Sequence, residues 1–280
     1  MKFMGYIRVP FLQVDAFTDK PFRGNPAAVC LMPCDLSDSL YLKIAQEVNP
    51  VSAIAFLEPL GNEGEYKIRW FTTVAEDPLC GHATLATAHV IFNHLGVNKD
   101  ILSFQSMSGI VKAWRSKEGI RLDFPRNDPV EIAPPKEILN AMGISRWEKN
   151  LFAETANRKL LVHLENQRQV IDLQPDFDAL LKTENKMDIK GIITTARSDG
   201  TYDFISRYFN PWLAVNEDPV TGSAHTVLAP HWSKELNKKK MRAFQASKRG
   251  GVLLLELTED RVYITGRATT VIEGELIYHK

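Results

Sequence analysis

The chain has 280 residues, of which 44% are hydrophobic and 24% charged, an ordinary globular composition with room for about two domains. Lys plus Arg equals Asp plus Glu at 34 each, so no net field draws nucleic acid or anionic lipid. With no apolar run of about 18 residues and no secretory leader pattern, a cytoplasmic protein with no membrane and no nucleic-acid partner is expected.

In chain order, FLQVDAF (11–17) and NPAAVCLM (25–32) read as two strands joined by the turn-rich TDKPFRG, with Gly24, Asn25 and Pro26 at the return. Leu40, Ile44 and Val48 form one stripe of an amphipathic helix over 36–48, with Asp35 or Ser37 as its N-cap. SAIAFLEP (52–59) and YKIRWFT (66–72) are further strands. From Ala83 to Leu95 almost every side chain is apolar, which marks a helix buried on all sides. ILSFQSM, IVKAW and IRLDFP continue a sheet around it, and the proline-rich RNDPVEIAPP (126–135) reads as an inter-lobe linker. The second half gives strands at KLLVHL, QVIDL, IKGIITTA and YDFISRYF, a short helix at DFDALLK, and a central helix over 223–236 that Pro230 should kink. RAFQAS, VLLLEL and RVYITG follow as strands. The last segment, TTVIEGELIY (269–278), has no counterpart in the first half and is expected to return to the first lobe's sheet.

EDPLCGHA (76–83) and EDPVTGSA (217–224) are 141 positions apart, about half the chain, and agree at five of eight positions. Two copies at that period indicate a duplicated domain rather than a solenoid. The expected organisation is an N-terminal lobe over 1–127 and a C-terminal lobe over 128–268, with the final strand at about 269–280 returning to the first. The fold class is α+β: two pseudo-symmetric lobes, each a curved mixed β-sheet wrapped around a central α-helix.

Each copy of the repeat feeds a helix N-terminus, where unpaired backbone N–H groups favour an anion. Gly81 and Gly222 let a ligand approach that backbone, and the two ends facing across a cleft would make a site. His82 is placed for acid–base work, Asp218 for holding a base or a polar substrate group, and Ser223 for a substrate hydrogen bond or a helix cap. Asp77, Glu76 and Glu217 suit turn roles better than chemistry. Cys80 at a helix start gains thiolate character, but a paired-thiol racemase needs a partner where the second copy has Thr221. A zinc set of Cys30, Cys34, Cys80 and His82 lacks the close paired spacing of structural sites, so no metal is expected.

VDAFTDKPFRGNPAAVC, RWFTTVAEDPLCGHATLA, YDFISRYFNPWLAVNEDPVTGSAHTVLAPHW and the RGG at 249–251 together resemble the PhzF family of phenazine biosynthesis-like isomerases, its animal branch in particular. The resemblance covers nearly the whole chain. It implies the diaminopimelate epimerase fold, a cofactor-independent isomerase acting by proton transfer on a small carboxylate-bearing metabolite between the lobes, and a homodimer as one compatible assembly. It carries His82 and Asp218 as proton-transfer residues, and Gly81, Gly222, Ser223 and Asn25 as substrate-binding positions. The family's acid–base glutamate lies in a motif like N-L-S-E-T-x-F. Here NPVSAIAF (49–56) puts Ser52 or Ala53 at that place, so a catalytically silent relative that binds a metabolite or a protein partner is the alternative.

Overall fold

The computed structural model describes residues 6–48, 53–154 and 158–279, which form two compact units: the described residues up to 123 with those from 265 onward, and the described residues between 124 and 264. In the first unit β1 (Tyr6–Ala16) turns back into β2 (Asn25–Leu31), and α1 (Asp38–Glu47) leads to β3 (Ala53–Pro59) and β4 (Glu65–Phe71). A two-residue strand β5 (Glu76–Asp77) precedes the central helix α2 (Gly81–Asn93), after which come β6 (Ile101–Ser106), β7 (Gly109–Ser116) and β8 (Gly119–Pro125). Pairing runs β1–β2 antiparallel, β2–β3 parallel, β3–β4 antiparallel, β4–β6 parallel and β6–β7 antiparallel. Parallel neighbours need a crossover, and α1 and α2 supply the two crossovers.

The second unit contains β9 (Val130–Glu131), α3 (Lys136–Ala141), β10 (Lys149–Ala153), β11 (Lys159–His163), α4 (Gln167–Ile171), α5 (Phe177–Lys182), β12 (Gly191–Arg197) and β13 (Phe204–Phe209). Its central helix is α6 (Gly222–Leu236), followed by β14 (Lys240–Gln245), β15 (Gly251–Leu257) and β16 (Arg261–Gly266). From β10 to β15 the pairing repeats the same order: antiparallel, parallel, antiparallel, parallel, antiparallel. The duplication seen in eight residues thus extends through both sheets. The chain's last strand, β17 (Ala268–His279), lies antiparallel to β1 from Ala16↔Ala268 to Tyr6↔His279.

Each sheet buries two faces. In the first unit α2 packs against β1, β2, β3, β7 and β17, and the run from His82 to Ala88 is buried. The opposite face holds Ala28, Cys30, Ile54, Phe56 and Phe71 with Tyr41 and Ile44 of α1. In the second unit Leu160, Val162, Ile192, Ile205 and Phe209 pack with Leu139 of α3, Val170 of α4 and Leu180 of α5.

One segment differs from the expectation drawn from the sequence, and two others make contacts that the sequence does not show. QVIDL, read as a strand, falls in and just after α4, because Asn166 accepts from the Gln169 N–H while the Gln169 side chain accepts from the Asn166 N–H, a reciprocal cap that starts a helix. Asp35 does not cap α1; its carboxylate binds the Tyr41 hydroxyl and the Lys67 ammonium, and Ser37 holds the N-cap position without a side-chain bond. The proline-rich segment read as a linker is tied down, with β9 paired to β10 and Arg126 N–H donating to the Asp260 carbonyl.

That segment also repairs the helix. Pro230 lies inside α6 and has no N–H to give the Thr226 carbonyl. The Asn127 N–H donates to that carbonyl at 3.2 Å, and the Asn127 Nδ2 donates to Thr226 Oγ1 at 2.8 Å. Asn127→Ala keeps the backbone N–H but removes the side-chain bonds to Thr226 Oγ1 and the Pro125 carbonyl, and is expected to lower the urea midpoint by the equivalent of about 1–2 kcal/mol. An unchanged midpoint would show that the side chain does not hold the segment on α6.

Candidate functional site

The repeated turns are built from the same parts. In β4 and β13 the pairs Ile54↔Phe71 and Ile192↔Phe209 align Arg69 with Arg207. Arg69 makes a two-bond fork to Glu76, Nε to Oε1 at 2.8 Å and Nη2 to Oε2 at 2.5 Å. Arg207 makes the matching fork to Glu217 at 2.7 and 3.0 Å. The first residue of each copy is therefore a structural clamp. Sequence reading placed Glu76 and Glu217 in turn roles but missed the arginines, although IRWF and SRYF stood before both copies.

After the clamp each chain enters its helix in nearly the same backbone state, Cys80 at φ −122°, ψ 104° and Thr221 at φ −116°, ψ 100°. Neither N-cap side chain makes a capping hydrogen bond to its helix's backbone N–H groups. In the first unit Asp77 Oδ1 accepts from the Leu79 N–H, Cys80 Sγ lies 3.4 Å from His82 Nδ1, and the Thr84 hydroxyl donates to the Cys80 carbonyl. Burial holds the His82 imidazole neutral, its pKa pushed down to about 4. Gly81 and His82 thus share one turn with Cys80. Asn25 stands at the head of β2, fully buried. The residue before it, Gly24, has a φ of +63°, and a Cβ there would come within 2.0 Å of the Ala16 carbonyl oxygen, so the position requires glycine.

In the second unit the half-buried Asp218 has its N–H on the Tyr208 carbonyl and accepts the Thr221 hydroxyl on Oδ2. Gln245, missed by sequence reading and fully buried, holds the turn from beneath: its Oε1 accepts from the Thr221 N–H at 2.8 Å and its Nε2 donates to the Asp218 carbonyl at 2.7 Å. Ser247 donates to the Pro219 carbonyl. His225 replaces Thr84 and makes the same backward bond, Nδ1–H to the Thr221 carbonyl at 2.8 Å. Asp218, Gly222 and Ser223 therefore share this turn, with Ser223 half-buried at the helix start.

Among the glutamate's expected positions, Ala53 opens β3 at 3% exposure, paired with Ala27, and Ser52 lies outside the described residues. Cys30 is enclosed in β2, where burial pushes its thiol up to about 12, and Cys34 is half-buried. Among the described residues, no three His, Cys, Asp or Glu side chains are grouped to hold a metal ion, and no helix is long and apolar enough to cross a membrane.

The family profile described as phenazine biosynthesis-like protein (PhzC-PhzF) matches residues 14–274. An uncharacterised isomerase of Halalkalibacterium halodurans is 43% identical over 96% of this chain and 98% of that protein. The mouse phenazine biosynthesis-like domain-containing protein 1 is 42% identical over 96% and 99%. A PhzF-family crystal structure from Enterococcus faecalis superposes at a TM-score of 0.88 with 39% identity, covering 96% of this chain and 99% of that one. A probable proline racemase of Agrobacterium radiobacter K84, 12% identical at a TM-score of 0.64 over 96% and 92%, shares the fold alone.

Proposed function

Because the chain belongs to the phenazine biosynthesis-like PhzC-PhzF family, we propose that it is a cofactor-independent isomerase that moves a proton on a small carboxylate-bearing metabolite. The observation that carries this reading is the matched pair of helix entries at Cys80 and Thr221, uncapped by their own side chains and each followed by a glycine. Helix N-termini of this kind stabilise a carboxylate and the enolate-like charge that develops when a neighbouring C–H is deprotonated. In this reading both turns serve one substrate, with Gly81, Gly222, Ser223 and Asn25 as binding positions.

His82 and Asp218 are the proton carriers. His82 begins neutral, so it accepts a proton or donates through its N–H; Asp218 begins hydrogen-bonded to the Thr221 hydroxyl, which orients the carboxylate. The relatives named isomerases support the reaction class. The test is exchange of carbon-bound hydrogen in deuterated water across a panel of small carboxylates, with His82→Ala and Asp218→Asn each expected to cut exchange by about 100-fold or more. Exchange unaffected by either substitution would overturn the assignment.

A second reading, a silent relative that binds a metabolite or a protein, draws on Ala53, which has no proton to give where the family motif places a glutamate. Appearance of exchange only in Ala53→Glu would favour it, and robust exchange by the unaltered protein would sink it. A cytoplasmic homodimer is our working picture for either reading, checked by light scattering.

A further inference from the structure

The two units finish the same edge of their sheets in different ways. In the second, β10 is covered by β9, a strand of two residues bounded by Pro129 and Pro134. So short an edge between prolines offers no ladder to another chain. In the first, β1 is covered by β17, which runs for 12 residues, is the longest strand described and contains no proline.

That strand also carries the sheet past its neighbours. The pairing of β1 with β2 runs only from Phe11↔Cys30 to Ala16↔Asn25, whereas its pairing with β17 continues to Tyr6↔His279. Residues 6–10 and 275–279 therefore run on as a two-stranded ribbon. One face of it is covered, with Val9 buried and Ile7, Leu276 and Tyr278 packed beside Tyr41 and Ile44 of α1. The other face exposes Tyr6, Arg8 and Ile277. Two strands alone are marginal in water, and a third strand along the open edge stabilises them.

Along 272–279 the one strand partnering β17 among the described residues is β1. Four successive residues, Ile272 to Glu275, are exposed, and a Cβ on Gly274 would meet nothing within 4 Å, so an incoming strand finds no obstruction there. The sequence of this stretch, VIEGELI (271–277), reads the same in both directions by chemical class, with Gly274 at its centre. Two antiparallel copies of one strand are related by a twofold axis. An axis at Gly274 sets Ile272 of each copy opposite Leu276 of the other. It also sets Glu273 opposite Glu275, a like pair that opposes association. Arg8 lies 2.6 Å from Glu275 and brings a positive charge to each such pair.

We propose that β17 is the surface through which two copies of this chain associate, joined antiparallel about a twofold axis at Gly274 so that the first unit's sheet continues from one copy into the other. This rests on the homodimer taken above as a working picture and gives it a surface and a register. The isomerase reading is not involved.

The experiment is sedimentation velocity on the whole, ligand-free protein and three variants at about 50 μM, above the dissociation constants of micromolar dimers. The parent is expected to be a dimer. Ile272→Lys, at a side chain already half exposed, should weaken it by about 30-fold or more. Glu273→Lys turns each like pair into an opposite pair and should tighten it by about threefold or more. Ile110→Lys, on the exposed part of β7, should leave it unchanged. The register is read by Gly274→Cys, which places two thiols across the axis at the roughly 4.5–5.5 Å Cα spacing of paired strands, within reach of a disulfide. Mild oxidation should then give a covalent dimer that the parent, with Cys34 alone half-buried, does not form. A monomeric parent overturns both the proposal and the homodimer. A dimer that Ile272→Lys leaves intact, or that Ile110→Lys weakens equally, overturns the proposal and leaves the homodimer standing. A dimer in which Gly274→Cys does not cross-link overturns the axis at Gly274, and growth beyond two copies overturns the closed twofold pairing.

Discussion

Arg207→Met unfolds the second unit at markedly lower urea, with an expected loss of about 3–5 kcal/mol. The side chain is 10% exposed and its guanidinium makes five bonds: two to Glu217 and three from Nη1 to the carbonyls of Leu173, Val170 and Ile171 at 2.7, 3.2 and 3.3 Å. Removing it leaves a half-buried carboxylate and the end of α4 without their donor, which is the costly way to break a buried pair. Methionine keeps much of the apolar contact with the Phe209 ring, over which the guanidinium lies at 4.9 Å, so packing loss does not dominate. Arg69→Met provides the comparison. Its fork to Glu76 is equivalent, but its other partner, Asp38, is 82% exposed and regains water when the arginine is lost. The expected cost there is smaller, about 1–3 kcal/mol. Equal losses at the two positions would show that the bonds to the carbonyls of Leu173, Val170 and Ile171 add nothing to the fork, and a loss under about 1 kcal/mol at Arg207 would show that the fork does not brace the turn. Because Glu217 adjoins Asp218, Arg207→Met should also loosen the Thr221–Asp218 contact, read as faster hydrogen exchange at the Thr221 amide.

The fold is unevenly legible in the sequence, for physical reasons. EDPxxGxA was legible because the same backbone state at Cys80 and Thr221 demands the same short residues twice. The buried helix after Gly81 was legible from its lack of a polar face. QVIDL misled because its alternation suits a strand, while the signal that prevailed was the local Asn166 and Gln169 cap. Arg69, Arg207 and Gln245 were not found because their partners lie 7, 10 and 24 positions away, a separation that only the folded register turns into contact. Lys159 is the clearest case. A lysine in KLLVHL reads as the polar end of a strand, and its burial becomes visible only when β11 is aligned with β2 through their partners β12 and β3.

Stability is expected to fall as the pH is lowered from about 6.5 toward 4, driven by buried histidines. Burial is the first cause for each: His82, His89 and His225 are pushed down to about 4, His231 to about 3, and His163 is lowered as well. His163 and His231 share a hydrogen bond at 3.3 Å, and the neighbouring His163 charge adds to the lowering of His231. Their folded values lie below the unfolded value of about 6.5. Between the two, the unfolded chain binds protons that the folded chain refuses, so stability rises with pH in this window and is lost as pH falls through it. Each such imidazole contributes a slope of up to about 1.4 kcal/mol per pH unit. The single-site test is His225→Thr, which installs the residue found at the equivalent Thr84, keeps a hydroxyl able to reach the Thr221 carbonyl, and removes the titrating ring. The smaller side chain leaves a cavity that costs stability at every pH, whereas the histidine's contribution is a slope. Urea midpoints converted to free energy between about pH 4.5 and 6 should therefore give a line shallower by about 1.4 kcal/mol per pH unit than the parent's. An unchanged slope would mean that His225 takes up its proton in the folded state, and that the closed packing between Phe204 and α6 admits the charge it is built to exclude.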